Sequence, residues 1–454
     1  MAKNQKNTLC VETKEITNGI SIKVEGKEFK IEYPDNIWQE TPKSIQQVLV
    51  ENLAFGETFF LPLVLDKKKI IYNTQLPLFE PFWFKNQIYD LFDCEQEDKV
   101  KHLSYFKQFY NLDFKFALGD SILPKSKEIP ELKTDQPTAI IPFSFGKESL
   151  TTFAICKELG VKPVLVYCQE PEHPYESEYK TKKIAELKKE FQVSVYVIKN
   201  DPGFFRYGLA FGKKLGTELG WGTETTLLSL LMVPFIFKHK ARYIFFGNEF
   251  STNKFILKNG WKSFYSFDQT TEWSKQQNNM IRLLTDNQCH VKNILEPLEQ
   301  ITVFHLLYHR YKNISKYHSS CFGQKPLLKN SKWCHQCFKC EKTYLLAKIY
   351  GFDPKTFGFK YDLQNNKNFI KEYFEGYDDN DTDFIFYILS KKGEKTKIIK
   401  KFIKEKIGKI QSWQKLYDFF THLKSSENLP DEYQKKLLNI FNQELKEFIK
   451  ILPK

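Results

Sequence analysis

From residue 138 onward the sequence switches back and forth between two periods, and this alternation limits the folds open to the chain more than any other feature. Thr138 to Phe143 has the character of a buried strand, Lys147 to Leu159 is helical, and Pro163 to Cys168 is a second strand. Glu176 to Phe191 follows as a helix, Val193 to Ile198 as a third strand, Thr223 to Lys238 as a helix and Arg242 to Phe246 as a fourth strand. Parallel strands need a crossover between them, and a helix is the usual one. The pattern therefore predicts an α/β fold, a doubly wound parallel sheet with helices on both faces. Residues 1–135 read as a separate α+β amino-terminal domain. Within it, Ile20 to Ile31 gives two short alternating strands around a turn at Gly26. The polar stretch Pro124 to Pro137 reads as a linker, 136–350 as the alternating domain, and 351–454 as a helical, Lys-rich carboxy-terminal region.

The bend after the first strand of the alternating domain carries the first chemistry: Phe143-Ser144-Phe145-Gly146-Lys147-Glu148-Ser149. The N–H groups at a helix start point outward with partial positive charge, which suits a phosphate. Gly146 allows close backbone approach, Ser144 and Ser149 offer hydroxyls, and Lys147 adds a full positive charge. The GxxxxGK[ST] spacing is absent, so this is not a Walker A loop. An ordinary strand–helix turn with Ser caps is the plainer reading of these residues taken alone.

Cys321, Cys334, Cys337 and Cys340 give a C-x12-C-x2-C-x2-C pattern. Two-residue gaps let thiolates converge on one ion, and four thiolates make a closed, structural zinc site rather than a catalytic one. An iron–sulfur cluster is the alternative. Cys10, Cys94, Cys156, Cys168 and Cys289 are isolated and read as small apolar residues.

The bend resembles the PP-loop, Ser-Gly-Gly-x-Asp-Ser, of ATP pyrophosphatases, with matches at Ser144, Gly146 and Ser149, Phe145 in place of the first Gly and Glu148 in place of Asp. That resemblance implies a HUP-type PP-loop sheet that splits ATP to AMP and pyrophosphate. Phe143 to Gly146, Lys147 and Ser149 would hold the phosphates, with Lys147, Glu148 and Ser149 as catalytic residues and Glu148 orienting Mg²⁺. Backbone groups near Tyr167, at the end of the second strand, would hold adenine, and Gly247, after the fourth, would border the nucleotide. The loop with Ser320-Cys321-Phe322 and the later cysteines resembles cyano-deazaguanine synthase, which adenylates a carboxylate. A longer likeness covers about residues 90 to 350, through Ser104-Tyr105-Phe106-Lys107 and Trp333-Cys334-His335-Gln336-Cys337-Phe338-Lys339-Cys340. On these residues the chain resembles the ATP-dependent UDP-N-acetylmuramoyl-alanyl-glutamate epimerase family. The implied cofactors are ATP, Mg²⁺ and structural Zn²⁺, and the implied partner is a small-molecule carboxylate.

Polar loops supply candidate substrate readers: Asn248, Glu249, Ser251 and Asn253 in one, Gln269 in the next, and Arg310 and Lys316 before the cysteines. His173 and His318 are acid–base candidates whose plainer reading is surface histidine.

Net charge is +13, yet the cations are almost all Lys, and Arg appears only at Arg206, Arg242, Arg282 and Arg310. Where Lys is the default cation, Arg suggests a need for a planar fork of donors. Lys391 to Lys454 carries 16 Lys against 8 acids, so it supplies +8 of the total. Its segment Ile398 to Lys404 has helical period with Lys on one face. A solvated amphipathic helix is favoured there over an RNA surface. No stretch is read as long enough to span a bilayer, the start Met1 to Cys10 lacks a signal-peptide core, and the nine cysteines read as reduced. The expected location is the cytoplasm, with no membrane partner.

Overall fold

The structure is a computed structural model, and it describes residues 7–90, 102–171, 174–206, 208–213, 221–258, 260–264, 266–321, 331–364, 374, 380–409, 412–424 and 426–453. Strands β1 (Thr8–Ile16), β2 (Gly19–Val24) and β3 (Lys27–Glu32) precede helix α1 (Lys43–Thr58), β4 (Lys69–Tyr72), α2 (Glu80–Asp90) and β5 (Asp113–Phe116). Next come β6 (Thr138–Pro142), α3 (Lys147–Leu159), β7 (Lys162–Gln169), α4 (Pro174–Phe191), β8 (Ser194–Asn200) and β9 (Tyr243–Phe246). After these lie the hairpin β10 (Phe255–Lys258) and β11 (Trp261–Phe264), then α5 (Thr271–Leu284), β12 (His290–Asn293), α6 (Gln300–His309), α7 (Phe338–Ile349) and α8 (Gln434–Ile451).

Two compact units share the chain. The first comprises 1–143, 156–172 and 193–293, and the second 144–155, 173–192 and 294–454. The first holds one ten-stranded sheet in the order β12-β9-β6-β7-β8-β3-β2-β1-β4-β5. Its β12-β9-β6-β7-β8 half is parallel throughout. The order runs outward from β6 in both directions, β7 and β8 one way, β9 and β12 the other, which is doubly wound topology. The switch point lies between β6 and β9, and ligands of such sheets bind outside the strand ends there.

The expectation of a separate domain over 1–135 is corrected. β3 pairs antiparallel with β8 through Ile31↔Asn200 and Glu32↔Lys199, so the amino-terminal strands extend the same sheet. The supposed linker is pinned as well. Leu132 N donates to Gln288 Oε1 at 2.8 Å, and Gln288 Nε2 donates back to the Pro130 carbonyl at 3.1 Å. Residues 294–350 likewise group with the carboxy-terminal region, since the second unit takes in Ile294–Lys454.

The stretch Lys43–Leu65 is, against the sequence reading, apolar and long enough to cross a membrane by length and composition. Of its apolar 18-residue window 83% is buried within the structure, and Asn52 and Glu57 find partners there. Asn52 donates to Val48 O at 2.8 Å and accepts from Phe79 N at 3.0 Å, and Asn200 donates to Glu57 at 2.9 Å. These internal bonds are those of a core helix.

The second unit is helical around stacked aromatic rings. Phe304 of α6 lies 5.5 Å from Tyr350 and 6.0 Å from Phe357, nearly parallel to both. Helix Lys397–Glu405 buries Ile398, Ile399 and Phe402 and leaves its lysines outward, as the period predicts.

Gly19 opens β2 at φ 155°, where a Cβ would sit 2.0 Å from the Ile31 carbonyl oxygen. That atom is backbone and is tied into the β2–β3 ladder. Gly19→Ala should therefore cost about 2–4 kcal/mol, read as a lower urea midpoint, whereas Gly26→Ala, in open space, should cost less.

Candidate phosphate loop and thiolate centre

At the switch point Phe143 continues β6 by one bond, its N–H donating to the Val166 carbonyl at 2.8 Å. The chain then reverses into α3 within four residues. Phe145 takes the left-handed conformation, φ 59°, at the position where the PP-loop pattern has its first glycine. A side chain there costs about 1–2 kcal/mol. The Phe145 ring, fully buried, offsets that cost by hydrophobic burial. Its carbonyl accepts from Ser319 N at 2.9 Å. Gly146 N donates to Ser144 Oγ at 3.3 Å, and a Cβ on Gly146 would press on that oxygen at 3.1 Å. Ser149 Oγ accepts from Ser144 N at 3.3 Å and donates to the Gly146 carbonyl at 3.2 Å. The two serines thus brace the bend from within.

Ser144 is exposed and Glu148 half-buried, while Lys147 and Ser149 are buried. Lys147 Nζ bonds the Glu148 carboxylate. Burial works to raise that carboxyl, but the Lys147 charge and hydrogen bond, with Lys339 behind them, hold it below the usual range. Lys339 sits between two of the cysteines and was not singled out in the sequence. Its signal was its place in the Cys-Phe-Lys-Cys run.

Cys321, Cys334, Cys337 and Cys340 converge. Their sulfurs are 3.9 Å apart for 321–337, 3.7 Å for 334–340, 3.5 Å for 337–340 and 3.7 Å for 340–321. A tetrahedral ion with Zn–S bonds of about 2.3 Å sets its sulfurs about 3.8 Å apart. The cluster can therefore hold a metal ion such as zinc. The N–H groups of Gln336 and Cys337 both donate to Cys334 Sγ at 3.3 Å, and Cys334 N donates to Cys321 Sγ at 3.2 Å. These bonds support negative sulfur. His335 is not a ligand, since Nδ1 meets the Trp333 carbonyl at 2.9 Å and Nε2 accepts from Lys360 N at 3.2 Å. Phe322 and Cys94 lie outside the described residues, as does His173.

The substrate candidates divide. Arg310 Nη1 meets Glu444 of α8 at 3.2 Å, a carboxylate of this chain. Lys316 pairs with Glu190 at 2.7 Å beside Tyr317 and lines an open groove of about 600 Å³ with α4. Both belong to the second unit. In the first unit, Asn253 is structural, accepting Thr271 N at 2.8 Å and donating to Phe250 O at 3.1 Å. Ser251 donates to buried Glu249 at 3.1 Å, and the Gln269 carbonyl accepts from Thr252 at 2.9 Å. Asn248, beside Gly247 after β9, keeps a buried Nδ2 without a partner. Tyr167 is buried in β7, in register with Val197. The loop 144–149 belongs to the second unit; Phe143, Tyr167 and 247–269 belong to the first.

One further group was missed. Arg206, almost fully buried, bonds Glu170 just beyond β7 and lies 3.9 Å from Glu224. Asn200 at the end of β8 bridges Glu170 and Glu57, and burial raises the Glu57 carboxyl to about 7 despite Arg206. The scarcity of arginine was the available signal for this fork. His318, expected at the surface, is instead buried, with Nδ1 on Tyr308 Oη at 2.8 Å and its ring edge-on to Trp333. The apolar rings of Phe304 and Trp333 form its pocket, and only contacts distant in sequence bring them there.

Burial and then Lys332 push the His318 imidazole down to about 3. Between that value and the ordinary 6.5 or so, the unfolded chain binds a proton that the folded chain refuses. Stability should therefore fall as pH drops below 6.5, by up to about 1.4 kcal/mol per pH unit for this group. In urea titrations between pH 4 and 7, His318→Gln should remove one proton's worth of that slope. Cys340→Ser should lose one bound metal equivalent and melt at markedly lower temperature, checked by elemental analysis and calorimetry. No family model matches the chain, and no curated protein is detectably similar to it in sequence.

Proposed function

We propose that the chain is an adenylating enzyme that splits ATP to AMP and pyrophosphate and activates a substrate carboxylate. The observation that carries this reading is the left-handed bend between β6 and α3, with Phe145 at φ 59° where a PP-loop has glycine. The N-terminus of α3, the Ser144 hydroxyl and Lys147 would hold the phosphates, and Glu148 would take Mg²⁺ once Lys147 turns from it to phosphate. Loss of pyrophosphate leaves an acyl-adenylate, whose neighbouring C–H is more acidic than that of the free carboxylate. This is the step an epimerase of a UDP-muramoyl-peptide glutamate needs, and the sequence resemblance supports that substrate class. The thiolate centre is assigned to one structural zinc, because an iron–sulfur cluster would hold the four sulfurs further apart than a single ion does.

A second reading has its own support. Lys147 and Glu148 satisfy each other and the serines are used inside the loop, which suits a module that holds nucleotide without turning it over. Pyrophosphate exchange into ATP, with candidate carboxylates identified by mass spectrometry of small molecules retained on the protein, separates the two. Adenylation predicts exchange that falls at least about 100-fold in Lys147→Ala. ATP binding with no AMP from any carboxylate sinks the enzyme reading, and RNA-dependent AMP release moves the substrate to a nucleobase.

A further inference from the structure

Among the described residues a second group with metal-ligand chemistry lies in the helical unit, apart from the four cysteines: His305, His309 and Glu444. His305 and His309 are four residues apart on α6, so their rings share one face. The rings stack at 4.8 Å, 12° from parallel. Glu444 comes from α8, and its Oε2 lies 2.9 Å from His309 Nδ1 and 3.8 Å from His305 Nε2. The other oxygen, Oε1, takes Arg310 at 3.2 Å. One carboxylate oxygen is thus held by a cation while the other faces two imidazoles. An outer-shell donor fixing a ligating carboxylate does the same.

The decisive feature is His305. It is 3% exposed, and neither ring nitrogen has a hydrogen-bond partner. A buried polar atom left unpaired forfeits its hydration with nothing in return. Tyr350 and Phe448 press on the ring at 5.2 and 5.6 Å, positions an apolar residue would fill at no such cost.

We infer that His305, His309 and Glu444 bind a divalent ion of the zinc class. Two imidazoles and a carboxylate select borderline transition ions over calcium or magnesium. Three protein ligands leave a fourth position, and half-exposed His309 gives it a path to solvent. The site does not depend on the adenylation reading.

The test uses the full-length chain without an affinity tag, stripped of metal and re-equilibrated with micromolar zinc. Metal per chain is measured by elemental mass spectrometry. Wild type should hold two equivalents, and His309→Ala and His305→Phe one each. With cobalt(II), the thiolate-to-metal charge-transfer absorption should persist in both variants, showing that the cysteine site and its fold survive. His305→Phe should in addition leave the metal-free chain at least as heat-stable as wild type, since an apolar ring replaces an unpaired one. One equivalent in wild type, or two in either variant, overturns the assignment and leaves His305 paired with buried water.

Discussion

Four thiolates at 3.5–3.9 Å cannot remain charged beside one another without a cation among them. An ion at their centre would remove that repulsion and fix three pieces of chain at once: the segment at Cys321, the turn at Cys334 and the start of α7 at Cys340. Ser319, two residues before the first ligand, hands this order on, because its N–H holds the carbonyl of Phe145 in the bend. Lys339, between the last two ligands, places positive charge where it acts on Glu148. The four cysteines and the bend at 144–149, about 170 residues apart in sequence, are therefore one construction within the helical unit.

The same bend joins two physical demands. The chain leaves β6 and enters α3 within four residues, and that turn carries one left-handed residue, Phe145. Phe145 meets the conformational demand at some strain and repays it by burying its ring. Charge follows a similar logic in the sheet unit. Buried Glu57 and Arg206 and half-buried Glu170 lie at the ends of α1, the segment after β8 and β7; Asn200 bonds both carboxylates and Arg206 bonds Glu170. Such clusters survive burial only when each charge has a partner.

The parallel half of the sheet was legible because strand and helix periods are local. Its fifth strand, His290–Asn293, was not, being four residues with polar ends. The junction of the amino-terminal strands was equally hidden, since it rests on two paired residues of β3 and β8 far apart in sequence. The cysteine spacing announced its cluster, as spacing alone fixes how thiolates converge. Arg310 shows the limit: its need for a carboxylate was readable, but Glu444, 134 residues later, was not. His305 gave no signal at all, for its burial and its bare nitrogens exist only once α6 and α8 pack.

Amide hydrogen exchange across residues 144–149 and 319, compared between the zinc-loaded chain and Cys337→Ser, addresses the link between ion and loop. The variant should exchange the Ser319 amide and those of the bend at least tenfold faster, with the sheet strands β6 and β7 unchanged. Protection of the bend that is the same in both proteins would contradict the claim that the thiolate centre holds it.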